Sequence, residues 1–398
     1  MKFAHFADCH IGGWQDPRMK ELTIAAFRKA IDECMARKVD FLLIAGDLFN
    51  SALPQIDLIK DVAGELKRMR DAGIAVYIIA GSHDFSPSRK TMLDVLEKAG
   101  LCTNVMKVED GALQFTVDPR TNAKITGILG RSGGLEREDY GNISMRHLEL
   151  EQGFKIFMFH TALEEFKPAG MECMEAQSVA ALPRNFHYYA GGHVHYIFDR
   201  QLGSGVLTYP GALFPNNFKE LEEFKCGGMY VVDESLNYEY VPMQVKPVVS
   251  LVFDADNKSV PQLSGEISAS LASLDAKDKI VTVRVAGELA SGKPSDVDFK
   301  SLFSALGDAY FVMKNTSRLS AREELQSALV QAASIEEVES KMLESHREPA
   351  PLKLDNPGEF MHSLIRVLDK EKADGEKSAD FGARVLADVL KVLGIDED

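Results

Sequence analysis

Aspartate, histidine and serine side chains follow directly on five apolar runs, each of which is typical of a buried strand. The residues concerned are Asp8, His10, Asp47, Ser82, His83, Asp84, His160, His193 and His195. Because open α/β sheets place their sites at the carboxyl ends of the strands, we expect these side chains to lie close together. Taken singly, each histidine is better explained as a structural residue. The ordered set predicts a metal site, and nitrogen and oxygen ligands without thiolate suit Mn²⁺, Fe²⁺ or Zn²⁺.

The elements that must position these residues lie between residue 1 and about residue 245. Apolar runs and helical patterns alternate there in the order β-α-β-α-β, at Phe3–Ala7, Leu22–Met35, Phe41–Ala45, Ile56–Met69 and Ala75–Ala80. The later runs are mostly strand-like, at Lys155–Phe159, Phe186–Ala190, Val206–Tyr209, Met229–Val232 and Tyr238–Pro242. We therefore expect a domain over residues 1–245 with two sheets packed face to face and helices outside.

Two further segments follow this first domain. Residues 246–315 predict a small β-α-β-α-β module, with its last strand at Tyr310–Met313. Residues 316–398 are predicted to be wholly helical, and 357–394 carry two helices that each have a wide apolar stripe. The two stripes either pack on each other or dock on a helix of a partner, and the sequence leaves both alternatives open.

Composition narrows the classes of protein to which the chain can belong. Of its 398 residues, 45% are hydrophobic, and no apolar run approaches the about 18 residues that cross a bilayer. We recognise no secretory signal and expect a cytoplasmic protein without a membrane partner. The five cysteines show neither disulfide nor zinc-site spacing. A net charge of −15 argues against strong nonspecific nucleic-acid binding through the overall field, so any such contact must be local.

The chain resembles the calcineurin-like metallophosphoesterase superfamily in five ordered motifs: Asp8-Cys-His10, Gly46-Asp47, Gly81-Ser-His-Asp84, His160 and Gly192-His-Val-His195. Within that superfamily it is similar to the meiotic-recombination-eleven/SbcD branch of DNA double-strand-break repair nucleases, in its archaeal form. The features of the branch are the opening at 1–12, Ile44-Ala-Gly-Asp-Leu-Phe49 and Thr208-Tyr-Pro-Gly211. The resemblance implies a four-layer α-β-β-α sandwich with a small capping module and a helical C-terminal tail.

The resemblance also implies a role for each residue of the site. Asp8, His10 and His195 would hold one divalent ion, and His160, His193 and the residue at position 82 would hold a second. Asp47 would bridge the two ions. His83 would be a catalytic histidine that binds no metal, with Asp84 as the carboxylate that orients it. The ions would most often be Mn²⁺, two per subunit.

Two positions depart from the family pattern. Ser82 stands where the family has asparagine, and a hydroxyl is a shorter ligand than an amide carbonyl. We expect the second ion to bind weakly and activity to need high Mn²⁺, although serine could also serve equally well. Asn50 stands where many relatives have histidine, which puts any exonuclease-specific role of that position in doubt.

The resemblance points to a manganese-dependent DNA nuclease, with 3′-to-5′ exonuclease activity on double strands and endonuclease activity on single strands. It implies a homodimer that acts on DNA ends and binds an SbcC-type SMC-like coiled-coil ATPase through residues 357–394. Basic candidates for contacting the DNA backbone are Arg18, Lys20, Arg89, Lys90 and Arg131. Two alternatives remain: a phosphodiesterase for small molecules or cyclic nucleotides, and an architectural tether of DNA ends with a weakened metal site.

Overall fold

The computed structural model describes residues 1–85, 91–131, 136–168, 174–322, 357–370 and 378–393. Its helices are α1 (Pro17–Ala36), α2 (Ile56–Asp71), α3 (Met92–Lys98), α4 (Glu136–Asn142), α5 (Phe218–Phe224), α6 (Val260–Ala272), α7 (Phe299–Phe303), α8 (Pro357–Leu368) and α9 (Ser378–Leu393). Among the described residues, no helix combines the length and the apolar composition needed to cross a membrane.

The strands form two large sheets, one small sheet and a hairpin. They are β1 (Lys2–Phe6), β2 (Phe41–Ala45), β3 (Ala75–Ile79), β4 (Thr103–Asn104), β5 (Lys107–Glu109), β6 (Ala112–Gln114), β7 (Thr116–Val117), β8 (Lys124–Ile128), β9 (Lys155–His160), β10 (Tyr188–Gly192), β11 (Phe198–Leu202), β12 (Gly205–Tyr209), β13 (Gly228–Asp233), β14 (Tyr238–Pro242), β15 (Val248–Asp254), β16 (Ile280–Leu289) and β17 (Phe311–Ala321). The first sheet has the order β14-β13-β1-β2-β3-β4, and the second has the order β11-β12-β10-β9-β8-β7.

The central strands of both large sheets are parallel and buried on both faces. β1 pairs in parallel with β2, and β2 with β3, while β10 pairs in parallel with β9 and β12. Strands buried on both faces have nearly continuous apolar sequences, which is why the apolar runs predicted these strands well. Parallel pairing also brings their carboxyl ends to one edge, where the predicted ligands lie.

Alternate residues of these strands fill different layers of the core, because successive side chains point to opposite faces. Phe3, Phe41 and Tyr188 belong to the cluster between the two sheets. Phe6 and Ile44 belong to a second cluster that includes the buried faces of α1 and α2. A third cluster covers the outer face of the second sheet. The predicted architecture of two stacked sheets with helices outside is confirmed.

Helix α1 begins five residues earlier than the apolar pattern predicted. Asp16 caps it by accepting a hydrogen bond from the backbone N–H of Arg18, and Pro17 occupies the first helical position. Arg18 and Lys20 therefore lie in the first turn of α1, although the apolar pattern, which begins at Leu22, places them in the loop before the helix. The capping aspartate and the proline were signals in the sequence that could have located this helix start.

The chain forms two compact units. The first comprises Met1–Phe253, Ala269–Arg284 and Lys300–Asn315, and the second comprises Asp254–Ser268, Val285–Phe299 and the described residues from Thr316 onward. The module elements β15, α6, β16, α7 and β17 follow one another in the predicted order. The division into segments 1–245, 246–315 and 316–398 stays a prediction.

Strand β17 corrects one expectation. It extends from Phe311 to Ala321, so residues 316–321 are extended and not helical as predicted. β17 is an edge strand of the small sheet, in which β16 is central. Lys314, Ser317 and Arg318 are exposed on it. A strand with so many polar residues lacks the apolar run by which the other strands were recognised.

Helices α8 and α9 both occur where the apolar stripes predicted them. They pack against each other, and Lys370 forms an ion pair with Asp388 at 2.8 Å. Apolar side chains nevertheless stay exposed on both helices, among them Leu368 and Leu386 at 60% and 57%. Packing between the stripes is therefore present, and it leaves apolar surface uncovered.

Candidate metal centre

The structure brings six of the predicted site residues into one cluster. Ligand atoms lie within 4.8 Å of one another in three overlapping groups, namely Asp8, His10 and His195, then His10, Asp47 and His83, and then Asp8, Asp47 and His160. These residues follow β1, β2, β3, β9 and β10, whose carboxyl ends meet at one edge of the two sheets. The prediction that these side chains converge agrees with this geometry.

Glycine is required where the strand ends approach one another. Gly46 adopts a φ of +90°, and a Cβ on it would stand 2.1 Å from His160 Nδ1. A side chain at this position would displace the histidine that faces Asp47. Glycine is therefore needed at position 46 because of close packing, and the aspartate that follows it supplies the predicted ligand.

Three residues form what we call the first half of the cage: Asp8, His10 and His195. His10 Nε2 lies 3.1 Å from His195 Nε2. Asp8 Oδ1 lies 4.0 Å from the first of these nitrogens and 3.9 Å from the second. Two imidazole nitrogens and a carboxylate directed at one point are typical ligands of a divalent transition metal.

His160 belongs to what we call the second half of the cage, together with His193 and Ser82. Its Nδ1–H donates to the Ala45 carbonyl at 2.8 Å, so Nε2 is the ring nitrogen that faces the cage. That Nε2 is buried, has no hydrogen-bond partner, and lies 3.2 Å from Asp47 Oδ2. Metal-binding histidines commonly donate their other ring nitrogen to a carbonyl in this way. The orphaned nitrogen therefore fits a metal ligand.

Asp47 contacts both halves of the cage. Its Oδ2 lies 3.7 Å from His10 Nε2 and 3.2 Å from His160 Nε2. Its Oδ1 accepts the backbone N–H of His83 at 2.8 Å, which fixes the carboxylate in place. This position between the two groups of nitrogens fits the bridging role that the resemblance implies.

His193 and Ser82 are less closely assembled. The His193 ring lies 5.2 Å from the His160 ring between centroids, and its ring nitrogens are not in the three clusters found among the described residues. Its backbone N–H donates to both oxygens of Asp8, at 3.1 and 3.0 Å. The Ser82 hydroxyl lies 3.4 Å from Asp47 Oδ2. The second half of the cage is thus more open than the first.

His83 and Asp84 are adjacent in sequence but do not contact each other as predicted. His83 is exposed, and its Nδ1 lies 3.0 Å from the backbone carbonyl of Asn50. The Asp84 carboxylate is buried and accepts the backbone N–H groups of Leu48, Phe49 and Gly81. The expectation that Asp84 orients His83 is wrong, because three amides occupy this carboxylate. Asp84 instead fastens the loop that carries Asp47 to the end of β3.

The pKa values of the clustered residues are shifted by burial and by the charges packed beside one another. Burial raises the pKa of Asp8 to about 7, although His160 and His195 oppose the shift. Burial would also raise the pKa of Asp47, but His160 and His10 outweigh it and hold that pKa below its usual range. Burial lowers the pKa of His10 to about 3. Burial would lower the pKa of His160, but Asp47 and Asp8 outweigh it and raise that pKa to about 10. The two buried carboxylates thus favour positive charge at the cage, which a divalent cation would also supply.

Glu220 is a site residue that the sequence reasoning missed. Its Oε1 accepts a hydrogen bond from His195 Nδ1 at 2.8 Å. Glu220 lies in the first turn of α5, a helix that went unrecognised. The only available signal was the helix-start pattern Asn217-x-x-Glu220, in which Asn217 accepts the backbone N–H of Glu220.

Two of the three basic candidates for contacting DNA that the structure describes are engaged with protein groups. Arg18 pairs with Asp16, donates to the Tyr310 carbonyl at 3.1 Å and lies over the Phe311 ring. Arg131 forms an ion pair with Asp139 at 2.9 Å and lies over the Phe85 ring. Lys20 is half-buried. Arg89 and Lys90 lie outside the described residues.

Comparison with known proteins identifies the class to which this fold and cage belong. Residues 1–196 match the calcineurin-like phosphoesterase family, and this part of the chain belongs to it. The matched part of the chain is therefore a metallophosphoesterase domain, and members of this family use a divalent metal pair. The cluster of Asp8, His10, Asp47, His160 and His195 lies within the matched residues.

The more particular likeness is to archaeal repair proteins. The DNA double-strand break repair protein Mre11 of Methanococcus maripaludis is 25% identical over 85% of this chain and 89% of its own length. The protein of the same name from Methanocaldococcus jannaschii is 29% identical over 60% of this chain and 63% of its own length. A dimetal phosphatase structure from Danio rerio has a TM-score of 0.40 at 10% identity, covering 61% of this chain and 99% of that chain. The resemblance to the Mre11/SbcD branch is confirmed by the sequence matches.

Proposed function

We propose that the protein is a manganese-dependent DNA nuclease of double-strand-break repair that hydrolyses phosphodiesters by in-line displacement at two metal ions. The observation that carries this proposal is the cluster of Nε2 and carboxylate atoms in residues that match a phosphoesterase family. The substrate is inferred from similarity to proteins that are named for DNA double-strand break repair. The proposed activities are 3′-to-5′ exonuclease cleavage of double strands and endonuclease cleavage of single strands.

Each half of the cage would hold one ion. Asp8, His10 and His195 would bind the first, His160, His193 and Ser82 the second, and Asp47 would bridge them. Bound divalent ions would activate a water and stabilise both the attacking and the leaving oxygen of the displacement. The protein contributes fixed ligand geometry, because Asp8 is held by the His193 amide and Asp47 by the His83 amide.

His83 is the proposed proton donor to the leaving 3′-oxygen. With Nδ1 directed at the Asn50 carbonyl, Nδ1 carries a proton and Nε2 is left to exchange one with the substrate. His83 is exposed and stands beside His10 at 4.7 Å between ring centroids, so it can reach a phosphodiester bound at the cage. His83 contacts the backbone carbonyl of Asn50 and not its side chain. This contact therefore does not depend on whether residue 50 is asparagine or the histidine of many relatives.

Ser82 makes the second ion the weaker one. Its hydroxyl lies 3.4 Å from Asp47 and is shorter than the asparagine amide of the family pattern. We expect Ser82→Asn to raise the Mn²⁺ affinity of the second site by about 10-fold, the smaller end of effects seen when groups around a metal site change. Mn²⁺ titration of the metal-free protein measures it. Unchanged affinity and turnover would show that serine serves as well as asparagine.

Mn²⁺-dependent cleavage of labelled double-stranded DNA, measured alongside cleavage of bis-p-nitrophenyl phosphate, tests the proposed function. The proposal predicts cleavage of both substrates. Hydrolysis of the small ester alone would favour a phosphodiesterase for small molecules or cyclic nucleotides, which suits the net charge of −15. DNA binding without cleavage of either substrate would favour an architectural tether, which the short Ser82 ligand permits.

Contacts to the DNA backbone are assigned to Arg18, Lys20 and Arg131, with Arg89 and Lys90 as further candidates. Arg18 is exposed by 56% despite its contacts, so its guanidinium still faces solvent. Replacing one phosphate-contacting residue should weaken binding to all sequences alike and reduce its salt dependence by about one phosphate contact. Filter binding of Arg18→Ala and Lys20→Ala at two salt concentrations measures this. An unchanged salt slope removes a residue from the set.

Residues 357–394 are the proposed attachment to an SbcC-type coiled-coil ATPase. The apolar side chains that stay exposed on α8 and α9, such as Leu368 and Leu386, support a helical partner. Deletion of the chain after Pro351 should spare nuclease activity and abolish co-purification with that ATPase. Retained co-purification would remove the tail from the interface.

We also propose that the protein acts as a homodimer. Ile56, the first residue of α2, and Leu53, three residues before it, are exposed by 81% and 82%, while Val62 and Leu66 of α2 are buried. Two large, highly exposed apolar side chains within four residues of sequence suit self-association. Ile56→Glu should convert a dimer into a monomer in light-scattering measurements. A mass that the substitution does not change would place the dimer surface elsewhere.

A further inference from the structure

Glu220 lies directly behind His195, on the side away from the other ligands. Its Oε1 accepts the His195 Nδ1–H at 2.8 Å, while His195 Nε2 lies 3.1 Å from His10 Nε2. The side chain of Glu220 is exposed by only 12%. One nitrogen of the imidazole therefore faces the cage and the other faces a buried carboxylate.

The carboxylate is held from several directions at once. Oε2 accepts the backbone N–H of Asn216 at 2.7 Å, and Oε1 also accepts from the side-chain amide of Asn217 at 2.5 Å. Asn217 in turn caps α5 by accepting the backbone N–H of Glu220 at 3.0 Å. Because three donors fix both oxygens, the carboxylate cannot rotate away from His195 without losing hydrogen bonds.

Little water can compete for this contact. The space behind His195 and Glu220 is a cavity of about 10 Å³, which is lined by both residues and by apolar neighbours such as Ile197 and Phe224. A cavity of this size holds at most about one water molecule. A hydrogen bond to a carboxylate is stronger in such a sheltered position than at the surface.

We propose that Glu220 is a positioning residue of the first half of the cage, which keeps the proton on His195 Nδ1 and so leaves Nε2 free to bind a divalent cation. A carboxylate accepts hydrogen bonds only, so the histidine nitrogen that faces it must carry the proton. In the neutral imidazole the opposite ring nitrogen, 3.9 Å from Asp8 Oδ1, then keeps its lone pair. The inference rests on the metal centre of the proposed function and adds to it a residue outside the five motifs on which the family resemblance rests.

Glu220→Gln is the variant that tests this role with the smallest change of shape. A glutamine offers one oxygen to three donors, so its NH₂ group faces either Asn216 N–H or His195 Nδ1. In the second arrangement the proton of His195 moves to Nε2, which can then no longer bind a cation. Glu222→Gln is the matched control, because Glu222 lies on the same helix and pairs with Arg284 at 2.6 Å instead of with the cage.

Two measurements on the full-length protein decide the matter, after thermal unfolding has shown that both variants fold. Calorimetric titration of metal-free protein with Mn²⁺ alone should show affinity for the tighter site reduced by about 10- to 100-fold in Glu220→Gln and unchanged in Glu222→Gln. Nitrogen NMR of His195 in metal-free protein should show Nδ1 protonated in the parent and in Glu222→Gln, and loss of that single tautomer in Glu220→Gln.

Parent-like Mn²⁺ affinity in Glu220→Gln, or a His195 that keeps the Nδ1 proton there, would overturn the inference. Failure of the proposed function is recognised separately, because parent protein would then bind Mn²⁺ but cleave no DNA, or would bind no Mn²⁺ at all. In that last case the tautomer of His195, which is measured without metal, still decides whether Glu220 sets it.

Discussion

The two halves of the metal cage differ in how completely the protein assembles them. In the first half, His10 and His195 direct their Nε2 atoms at one point 3.1 Å apart, and Glu220 supports His195 from behind. In the second half, His160 is supported by the Ala45 carbonyl. His193 stands outside the clusters of the described residues, and Ser82 offers a hydroxyl that is shorter than an asparagine side chain. The comparison predicts one site that binds metal tightly and one that fills only at higher concentration.

Asp47→Asn should have the largest effect, because Asp47 contacts both halves. Removing its negative charge leaves His10 and His160 without the carboxylate that lies 3.7 and 3.2 Å from them. We expect Mn²⁺-dependent phosphodiesterase activity to fall to the level of the blank and both binding phases to weaken. If only one phase of the Mn²⁺ titration changes, Asp47 does not bridge the two halves.

Replacing one histidine in each half should separate the two sites. His195→Ala should remove the tight phase of Mn²⁺ binding, and His193→Ala should remove only the weak phase. Calorimetry on metal-free protein measures both, and DNA cleavage should fall in both variants because each ion is needed. Loss of the tight phase in His193→Ala would reverse the order of the two halves.

Asp84→Ala tests the support that both halves share, since Asp84 fastens the loop that carries Asp47. Three buried N–H groups, of Leu48, Phe49 and Gly81, would lose their acceptor. Each unsatisfied buried donor costs about 1–3 kcal/mol, so the free energy of unfolding should fall by about 3 kcal/mol or more. Urea unfolding measures the change.

Asp71→Ala, an exposed site that loses only surface ion pairs with Lys67 and Arg70, is the control for that substitution. Its free energy of unfolding should stay within about 0.5 kcal/mol of the parent value. A stable Asp84→Ala variant with reduced activity would instead favour a direct role in the chemistry. That outcome would return Asp84 to the catalytic group to which the family motif assigned it.

The smallest predicted effect is a pH dependence of the free energy of unfolding. It arises from His5 in metal-free protein and is therefore distinct from any loss of bound metal in acid. His5 is fully buried and hydrogen-bonded to Tyr188 and Thr208, and burial lowers its pKa to about 3. A histidine in the unfolded chain has a pKa of about 6.5. Between this pH and about pH 3, the unfolded state therefore binds a proton at His5 that the folded state does not bind. The stability that His5 contributes is therefore present above about pH 6.5 and is lost as pH falls toward 3.

This loss from His5 has a slope of up to about 1.4 kcal/mol per pH unit. Urea unfolding of metal-free protein between pH 7 and pH 5, compared with His5→Gln, isolates the contribution of this residue. The variant should show a shallower fall with acid. Equal slopes would mean that His5 is protonated in the folded protein.

Sequence reasoning located the buried parallel strands and the ligands that follow them, because both features are local. β2 was placed from Phe41 to Ala45 by its continuous apolar run, and this is where the strand lies. β8 was missed because Thr126 and Gly127 interrupt its apolar pattern, although it is an inner strand of the second sheet. β17 was largely missed because its exposed face is polar.

The contacts that support the ligands could not be predicted in the same way. Glu220 is 25 residues from His195 in sequence, and their contact exists only once α5 folds against the edge of the cage. The partners of Asp84 are backbone amides, which have no signature in the sequence at all. The motifs therefore predict which side chains meet. The hydrogen bonds that hold those side chains depend on the three-dimensional fold and cannot be predicted from the motifs.

The distribution of bound metal between the two halves is the most direct test of this account. Anomalous diffraction from crystals soaked in a series of Mn²⁺ concentrations would locate each ion and its occupancy. We expect a first peak among Asp8, His10 and His195, and a second among Asp47, His160 and His193 that appears only at higher Mn²⁺. Simultaneous filling of both positions would contradict the inequality of the halves, and an absence of peaks at the cage would contradict the metal centre itself.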